Sequence, residues 1–223
     1  MRIIRKSTEK LLIESFKKEF KKTADEKESI GKRLSFVLTG GPSPKNLYKQ
    51  LSKLKINWSN IDFFWGDERY VAKNSINSNY YLANKNLLKK IRAKKNNIYS
   101  VNTNMKNAKK SAINYSNKIK KYFKSKYIKF SIFLLGMGDD GHIASIFPGD
   151  LDAKSNKISR NIIRKDFERI TINLKTINKS KKIYVWLNSK KKTNIFNYIL
   201  KNKNKSIPIN CLKKNNITVF SIK

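Results

Sequence analysis

Residues that cross-link, coordinate or anchor a chain are scarce in this 223-residue sequence. The single cysteine, Cys211, excludes an internal disulfide and a cysteine-based metal cluster, and we expect it to be a small residue near the C-terminal strand. No segment approaches the ~20 apolar residues of a membrane-spanning helix, and the first residues lack the apolar core of a signal peptide. We therefore expect a soluble, cytoplasmic protein without a membrane partner, and the length suits one domain over residues 1–223.

Acidic residues are also few, since 15 Asp and Glu face 51 Lys and Arg, for a formal net charge of +36. Such a charge is typical of proteins that bind nucleic acids. However, 43 of the basic residues are Lys, and they are spread along the whole chain. Gly and Pro are scarce, whereas Lys, Asn, Ile, Phe and Tyr, whose codons are rich in A and T, are abundant. An A/T-biased genome accounts for this composition, so we predict no specific nucleic-acid partner.

Apolar residues are patterned as strands that alternate with helices. Continuous apolar runs are typical of buried parallel strands, and apolar spacings of three and four residues are typical of helices. The predicted strands are residues 34–38, 61–65, 98–101, 130–135, 170–174, 183–187 and 217–222. The predicted helices cover residues 9–22, 47–54, 81–91, 108–123 and 195–199, with loops at 23–33 and 150–167. This order predicts a single-domain α/β fold, with a mainly parallel sheet flanked by helices.

Seven of the eight glycines follow predicted strands. Gly40 and Gly41 come after the first strand, Gly66 after the second, and four more lie in residues 136–149, together with the only histidine, His142. In an open α/β sheet, ligands bind outside the carboxyl ends of the strands. Tight turns alone explain single glycines, but they explain less well why charged residues and a histidine accompany them. The sequence therefore predicts one site at this edge of the sheet.

The segment Thr39–Pro44 reads Thr-Gly-Gly-Pro-Ser-Pro and follows the first buried strand. Ser43 is predicted as a helix N-cap and Pro44 as the first helical residue. Glycines before a helix N-terminus expose backbone N–H groups, and the helix dipole favours an anion there. The segment therefore suits a phosphate, although a plain turn and helix cap explains the same residues.

Charged residues follow the second strand as Asp67-Glu68-Arg69. Arg binds phosphate or carboxylate groups through two parallel hydrogen bonds, so Arg69 is a candidate anion ligand. A surface ion pair within this segment is the alternative. Three lysines at residues 190–192 open a predicted helix, where their charges oppose the helix dipole unless an anion is bound. In so Lys-rich a chain, composition alone is an alternative account of these lysines.

His142 lies in the segment Gly136–Ser145, after the predicted strand 130–135. An imidazole titrates near neutrality, which suits a general base that removes a proton from water. Asp140, two residues earlier, is placed to hold the ring by a hydrogen bond. A lone histidine is more often structural, but its position among turn residues at a strand end favours a catalytic role.

Three segments together resemble the signature segments of 6-phosphogluconolactonases. They are Leu38–Pro44, Trp65–Val71 with Ser78–Tyr80, and Gly136–Gly149. The resemblance covers residues 30–223 and is strong to residue 149 and looser beyond it. It implies a Rossmann-like α/β fold shared with sugar-phosphate isomerases. It also implies hydrolysis of 6-phospho-D-glucono-1,5-lactone to 6-phosphogluconate, in the oxidative pentose phosphate pathway, without a metal or an organic cofactor.

The resemblance also implies roles for individual residues. His142 would activate water, and Asp67 and Asp140 would shape the site. The residues that would hold the phosphate or contact the substrate are Gly40, Gly41, Ser43, Arg69, Arg169 and Lys192. Pro42 departs from the family pattern and removes one backbone donor. Phosphate binding is therefore expected to depend more on side chains than on the loop.

Two other functions stay open. Glucosamine-6-phosphate deaminase-isomerases share the fold and the Asp-Gly-His element, but they lack the Trp-Gly-Asp-Glu-Arg pattern and usually differ after the histidine. A nucleic-acid-binding role would show as binding that persists near physiological salt. The only specific partner that we predict is the phosphorylated lactone, and the expected assembly is a monomer or a weak homo-oligomer.

Overall fold

Seven parallel strands form the central sheet of this computed structural model, which describes residues 1–124 and 127–223. Numbered in chain order, they are β1 (Arg2–Lys6), β2 (Leu34–Leu38), β3 (Ile61–Trp65), β5 (Ile98–Tyr99), β6 (Ile132–Leu135), β9 (Lys182–Leu187) and β10 (Ile217–Ile222). Their order across the sheet is β1-β10-β9-β6-β2-β3-β5. All residues of β2, β3 and β6 are buried, as continuous apolar runs predict when both faces of a sheet are covered.

The α-helices cover both faces of this sheet. They are α1 (Glu9–Glu28), α2 (Lys45–Leu51), α3 (Asn79–Ala83), α4 (Ala108–Phe123), α5 (Leu174–Ile177) and α6 (Lys190–Asn202). Apolar residues of α1, α2 and α3 pack in one core on one face, and those of α4, α5 and α6 pack in a second core on the other. No helix within residues 1–124 and 127–223 is long and apolar enough to cross a membrane.

The strand order changes direction between β2 and β6. From β2 the chain proceeds outward to β3 and β5, and it then returns to β6 on the other side and proceeds to β9 and β10. The loops that leave β2 and β6 therefore separate and open a crevice at the carboxyl ends of the strands. This switch point is where open α/β sheets bind ligands.

A small antiparallel sheet lies beside this crevice. Its strands are β4 (Asp67–Arg69), β7 (Ser159–Ile162) and β8 (Arg169–Ile172), in the order β4-β8-β7. Gly66 joins it to the main sheet, since its N–H donates to Leu38 O at 2.9 Å and its carbonyl accepts from Ile172 N at 2.8 Å. The register places Arg69 opposite Arg169. Two cationic side chains thus reach the same side of the crevice.

The mainly parallel α/β fold is confirmed, and so are the predicted strands at 34–38, 61–65 and 217–222. Three local predictions are wrong. Residues 23–28 continue α1, because Thr23 and Ala24 extend its buried stripe. Residues 150–167 contain β7 and a single turn at Leu151–Lys154 rather than loops alone. The strand predicted at 170–174 ends at Ile172, because Asn173 caps α5.

Two further differences concern one strand that the sequence pattern does not predict and one helix with different bounds. β1 was not predicted, since its Arg-Ile-Ile-Arg-Lys pattern is mostly exposed at the edge of the sheet. The helix predicted over 81–91 is α3, which continues directly into a wider π-helical turn at Asn84–Leu88.

Candidate active site

A cleft of about 190 Å³ opens at the switch point between β2 and β6. The structure brings together there every predicted site residue except Asp140, which instead contacts His142. The predicted residues that line the cleft are Gly40, Gly41, Ser43, Asp67, Arg69, His142, Arg169 and Lys192. Segments separated by up to about 150 residues therefore meet at one place, as the carboxyl-edge argument predicts.

His142 and Asp140 form a hydrogen-bonded pair on the loop after β6. His142 Nδ1 lies 2.6 Å from Asp140 Oδ1, and the backbone N–H of His142 donates to the same oxygen at 3.1 Å. Burial acts to raise the pKa of Asp140, but these hydrogen bonds from His142 outweigh it and the pKa is lowered. An ionised Asp140 only accepts hydrogen bonds, so Nδ1 carries the proton and Nε2 has the free lone pair. This arrangement suits a general base.

The local backbone makes room for the imidazole. A Cβ atom on Gly138 would lie 2.1 Å from His142 Cε1, so the ring passes directly over that glycine. Gly141 has a φ of +81°, which favours glycine, and a Cβ atom there would meet Ile207 at 2.3 Å. On the other side, the ring packs against Phe147 with centroids 4.6 Å apart. The glycines of this segment thus position the histidine.

Ser43 does not cap α2, contrary to prediction. The helix begins at Lys45, Pro44 occupies the cap position, and no side chain accepts a hydrogen bond there. Ser43 Oγ instead accepts a hydrogen bond from Lys192 Nζ at 2.9 Å, because the loop ends one residue later than expected. The start of the loop is fixed by Tyr48, whose hydroxyl donates to Thr39 O at 2.7 Å. Ser43 is therefore directed into the cleft.

Lys192 is a cation of the cleft that contacts both the loop after β2 and the loop after β6. Its Nζ also donates to Met137 O at 3.0 Å, so two neutral oxygens hold the ammonium group. Burial lowers the pKa of Lys192, and the charge of Lys191 acts in the same direction. Lys191 points elsewhere and pairs with Asp139 at 2.6 Å. Of these two neighbouring lysines, Lys192 is the one available to a bound anion.

Arg69 and Arg169 lie side by side on β4 and β8. Arg69 Nη1 donates to Asn77 O at 2.8 Å, and Arg169 pairs with Asp166. Both residues have a buried Nε atom with no hydrogen-bond partner in the described chain. Like charges opposite each other on paired strands are unfavourable. An anion in the cleft would relieve this repulsion and could accept from both guanidinium groups.

The surface ion pair considered for residues 67–69 does not form. Asp67 and Glu68 are only 6% and 2% exposed. Asp67 Oδ2 accepts a hydrogen bond from Ser145 Oγ at 2.7 Å. Glu68 accepts hydrogen bonds from backbone N–H groups rather than from a guanidinium group. Neither carboxylate therefore pairs with the guanidinium group of Arg69, which lines the cleft instead.

Glu68, which is buried next to Asp67, and Asn79, which lines the cleft, are residues for which the sequence predicts no individual role. Glu68 accepts hydrogen bonds from Asn79 N and Tyr80 N, both at 2.7 Å, and from Ser78 Oγ at 3.2 Å. Burial raises the pKa of Glu68 to about 7, although backbone donors partly offset this effect. The buried carboxylate thereby ties the start of α3 to β4. The Ser-Asn-Tyr sequence at residues 78–80, typical of a helix start, was the available signal.

Within the described residues, no three His, Cys, Asp or Glu side chains group together as metal ligands. The prediction that the protein uses no metal stays a prediction, since it concerns the reaction.

Comparison with known proteins gives the family. The sequence model of the family described as glucosamine-6-phosphate isomerases/6-phosphogluconolactonase matches residues 7–220. The 6-phosphogluconolactonase of Thermotoga maritima is 31% identical over 192 residues, which cover 85% of this chain and 83% of that protein. This chain belongs to the 6-phosphogluconolactonase family. The crystal structure of the Thermotoga protein has a TM-score of 0.86 at 25% identity and covers 99% of this chain and 98% of that chain.

A second family member gives a shorter match. The 6-phosphogluconolactonase of Nostoc sp. is 38% identical over 119 residues, so the match spans 52% of this chain and half of that protein's length. The resemblance inferred from the three signature segments is thereby confirmed. The roles of the individual site residues remain predictions.

Proposed function

We propose that this protein hydrolyses 6-phospho-D-glucono-1,5-lactone to 6-phospho-D-gluconate, a step of the oxidative pentose phosphate pathway. The observation that carries the proposal is that the His142–Asp140 pair faces the same cleft as three cationic side chains. A phosphorylated lactone needs both features, a base for water and cations for the phosphate. The cations at the cleft are Arg69, Arg169 and Lys192.

In the proposed reaction, His142 Nε2 removes a proton from a water molecule as the water oxygen attacks the lactone carbonyl carbon. Asp140 stabilises the imidazolium that forms. The tetrahedral intermediate carries an oxyanion, which the guanidinium groups or backbone N–H groups of the cleft stabilise. Collapse of the intermediate breaks the bond between the carbonyl carbon and the ring oxygen. That oxygen takes the proton from His142, and the base is regenerated.

The phosphate is proposed to lie in the cleft against both the loop at residues 40–43 and Lys192. Ser43 Oγ and Lys192 Nζ are already 2.9 Å apart and both present N–H or O–H donors. Pro42 contributes no backbone donor, so these side chains and Arg69 supply the main contacts. Asp67, held by Ser145, is proposed to shape the cleft from below rather than to bind the phosphate, because carboxylate and phosphate repel each other.

The test is lactone hydrolysis by the wild type and by His142→Ala. The lactone would be generated fresh by glucose-6-phosphate dehydrogenase, and the spontaneous rate would be subtracted. We expect acceleration by the wild type and a loss of roughly 10²-fold or more in the variant, because general-base catalysis is removed. Full activity in the variant would keep the function and refute the mechanism.

Failure of folded wild type to accelerate hydrolysis would refute the function itself. In that case release of ammonia from glucosamine 6-phosphate would support the deaminase alternative. Binding to duplex DNA that persists near physiological salt would support the nucleic-acid alternative.

A further inference from the structure

Asn79 has a buried acceptor that no group of the described chain satisfies. The residue is 1% exposed and lines the cleft. Its Nδ2 donates to Asp67 O at 2.9 Å, whereas its Oδ1 is buried without a hydrogen-bond partner. An unpaired buried acceptor costs free energy, so a partner normally exists in the working state.

The orientation of the Asn79 amide is fixed by its surroundings. Only the NH₂ end can donate to the carbonyl of Asp67, so the oxygen must point the other way. A Cβ atom on residue 40 would lie 1.9 Å from Asn79 Oδ1, which places this oxygen directly over Gly40 in the floor of the cleft. The backbone of Asn79 is held independently, because its N–H donates to buried Glu68 at 2.7 Å.

We propose that Asn79 is a substrate-binding residue whose Oδ1 accepts a hydrogen bond from a hydroxyl group of the sugar acid. This inference rests on the proposed function and names a contact within that same site. An amide oxygen cannot pair with a phosphate oxygen or with the lactone carbonyl, since all three are acceptors. Hydroxyl groups and water are the donors available.

The position of Asn79 favours a hydroxyl over the attacking water. Asn79 contacts Gly40 and Asp67, which follow β2 and β3, whereas His142 follows β6 on the other side of the switch point. The water must lie beside His142, so the group beside Asn79 belongs to another part of the substrate. The contact would distinguish a polyhydroxy lactone from a less hydroxylated one.

The test compares the parent lactone with its 2-deoxy, 3-deoxy and 4-deoxy counterparts, using kcat/KM as the readout. For wild type, we expect the kcat/KM of one deoxy lactone to be roughly 10-fold or more below that of the parent lactone, because Asn79 Oδ1 is left unpaired. In Asn79→Leu, which keeps the side-chain shape, we expect that same lactone to react as fast as the parent. A merely structural role would lower all rates together and leave their ratios unchanged.

The wild-type comparison is a test that does not depend on the folding of any variant. Equal kcat/KM values of wild type for the parent and all three deoxy lactones would overturn the proposal even if the leucine variant does not fold. Equal ratios in wild type and Asn79→Leu would also overturn it. If wild type hydrolyses the parent lactone, either result leaves the proposed function intact. If it does not, both proposals fail.

Discussion

Asp140→Asn tests how much of the proposed catalysis comes from the carboxylate behind the histidine. The variant keeps the shape of the side chain and removes its charge. The backbone N–H of His142 donates to Asp140 Oδ1 at 3.1 Å, and this contact should hold the amide oxygen of the variant in the same place. His142 Nδ1 would then keep an acceptor and its proton. We therefore expect the tautomer to be preserved and only the stabilisation of the imidazolium to be lost.

The size of the loss follows from the exposure of the pair. A hydrogen bond to an ionised group contributes about 1.5–3 kcal/mol. The side chains of His142 and Asp140 are 30% and 48% exposed, so solvent weakens their interaction and the lower end of that range applies. About 1.5 kcal/mol corresponds to a decrease in kcat of roughly 10-fold. This is clearly smaller than the loss expected for His142→Ala.

The assay is the initial rate of lactone hydrolysis at saturating substrate, with Asp139→Asn as the matched control. Asp139 is the neighbouring carboxylate, but it pairs with Lys191 at 2.6 Å and does not contact His142. Its variant should stay within about two-fold of wild type, since the change in net charge is the same but the base is untouched. A wild-type rate for Asp140→Asn, or a rate as low as that of His142→Ala, would refute the reasoning.

Two further predictions concern Lys192 in the cleft and the buried Glu68. Lys192→Met should raise KM by roughly 10-fold or more, because a charge-assisted contact to the phosphate is lost, whereas Lys191→Met should leave KM near its wild-type value; equal effects would contradict the assignment. For Glu68, a folded-state pKa of about 7 against a usual 4.5 means that the folded protein holds the proton more tightly. Its contribution therefore lowers the free energy of unfolding by about 3 kcal/mol as pH rises from 4.5 to above 7. Urea unfolding at several pH values should show this decline in wild type relative to Glu68→Gln, and parallel curves would exclude it.

The main sheet could be predicted from the sequence because its strands are continuous apolar runs. β2, β3 and β10 match their predicted ranges, since burial on both faces leaves little room for polar residues. β1 and β7 were missed for the opposite reason. Both contain arginine and polar residues at the margin of a sheet, so their pairing depends on a neighbouring strand rather than on their own pattern. That strand is β10 for β1 and the nearby β8 for β7.

The residues of the site can likewise be predicted only where their own sequence pattern is sufficient. The cleft residues of the Gly-rich loops could be predicted because they come directly after strands. The roles of Glu68 and Asn79 could not be predicted. An Asp-Glu-Arg sequence is equally compatible with an exposed ion pair and with a buried carboxylate, and a Ser-Asn-Tyr sequence is typical of any helix start. Ser43 was predicted to cap a helix, and only the approach of Lys192 from α6 shows why it faces the cleft instead.

The pairing of β1 with β10 constrains the order in which this chain can fold. The register joins Arg2 to Thr218, so the contact closes a loop of almost the whole chain. Part of α1 depends on the same late element, because Phe16 packs against Phe220 with ring centroids 5.0 Å apart, whereas Phe20 packs against Phe36 of β2. During synthesis, the surface of the first helix around Phe16 therefore lacks this partner until β10 is made. We expect this pairing to slow folding, because it joins the two strands of the sheet that lie furthest apart in the sequence.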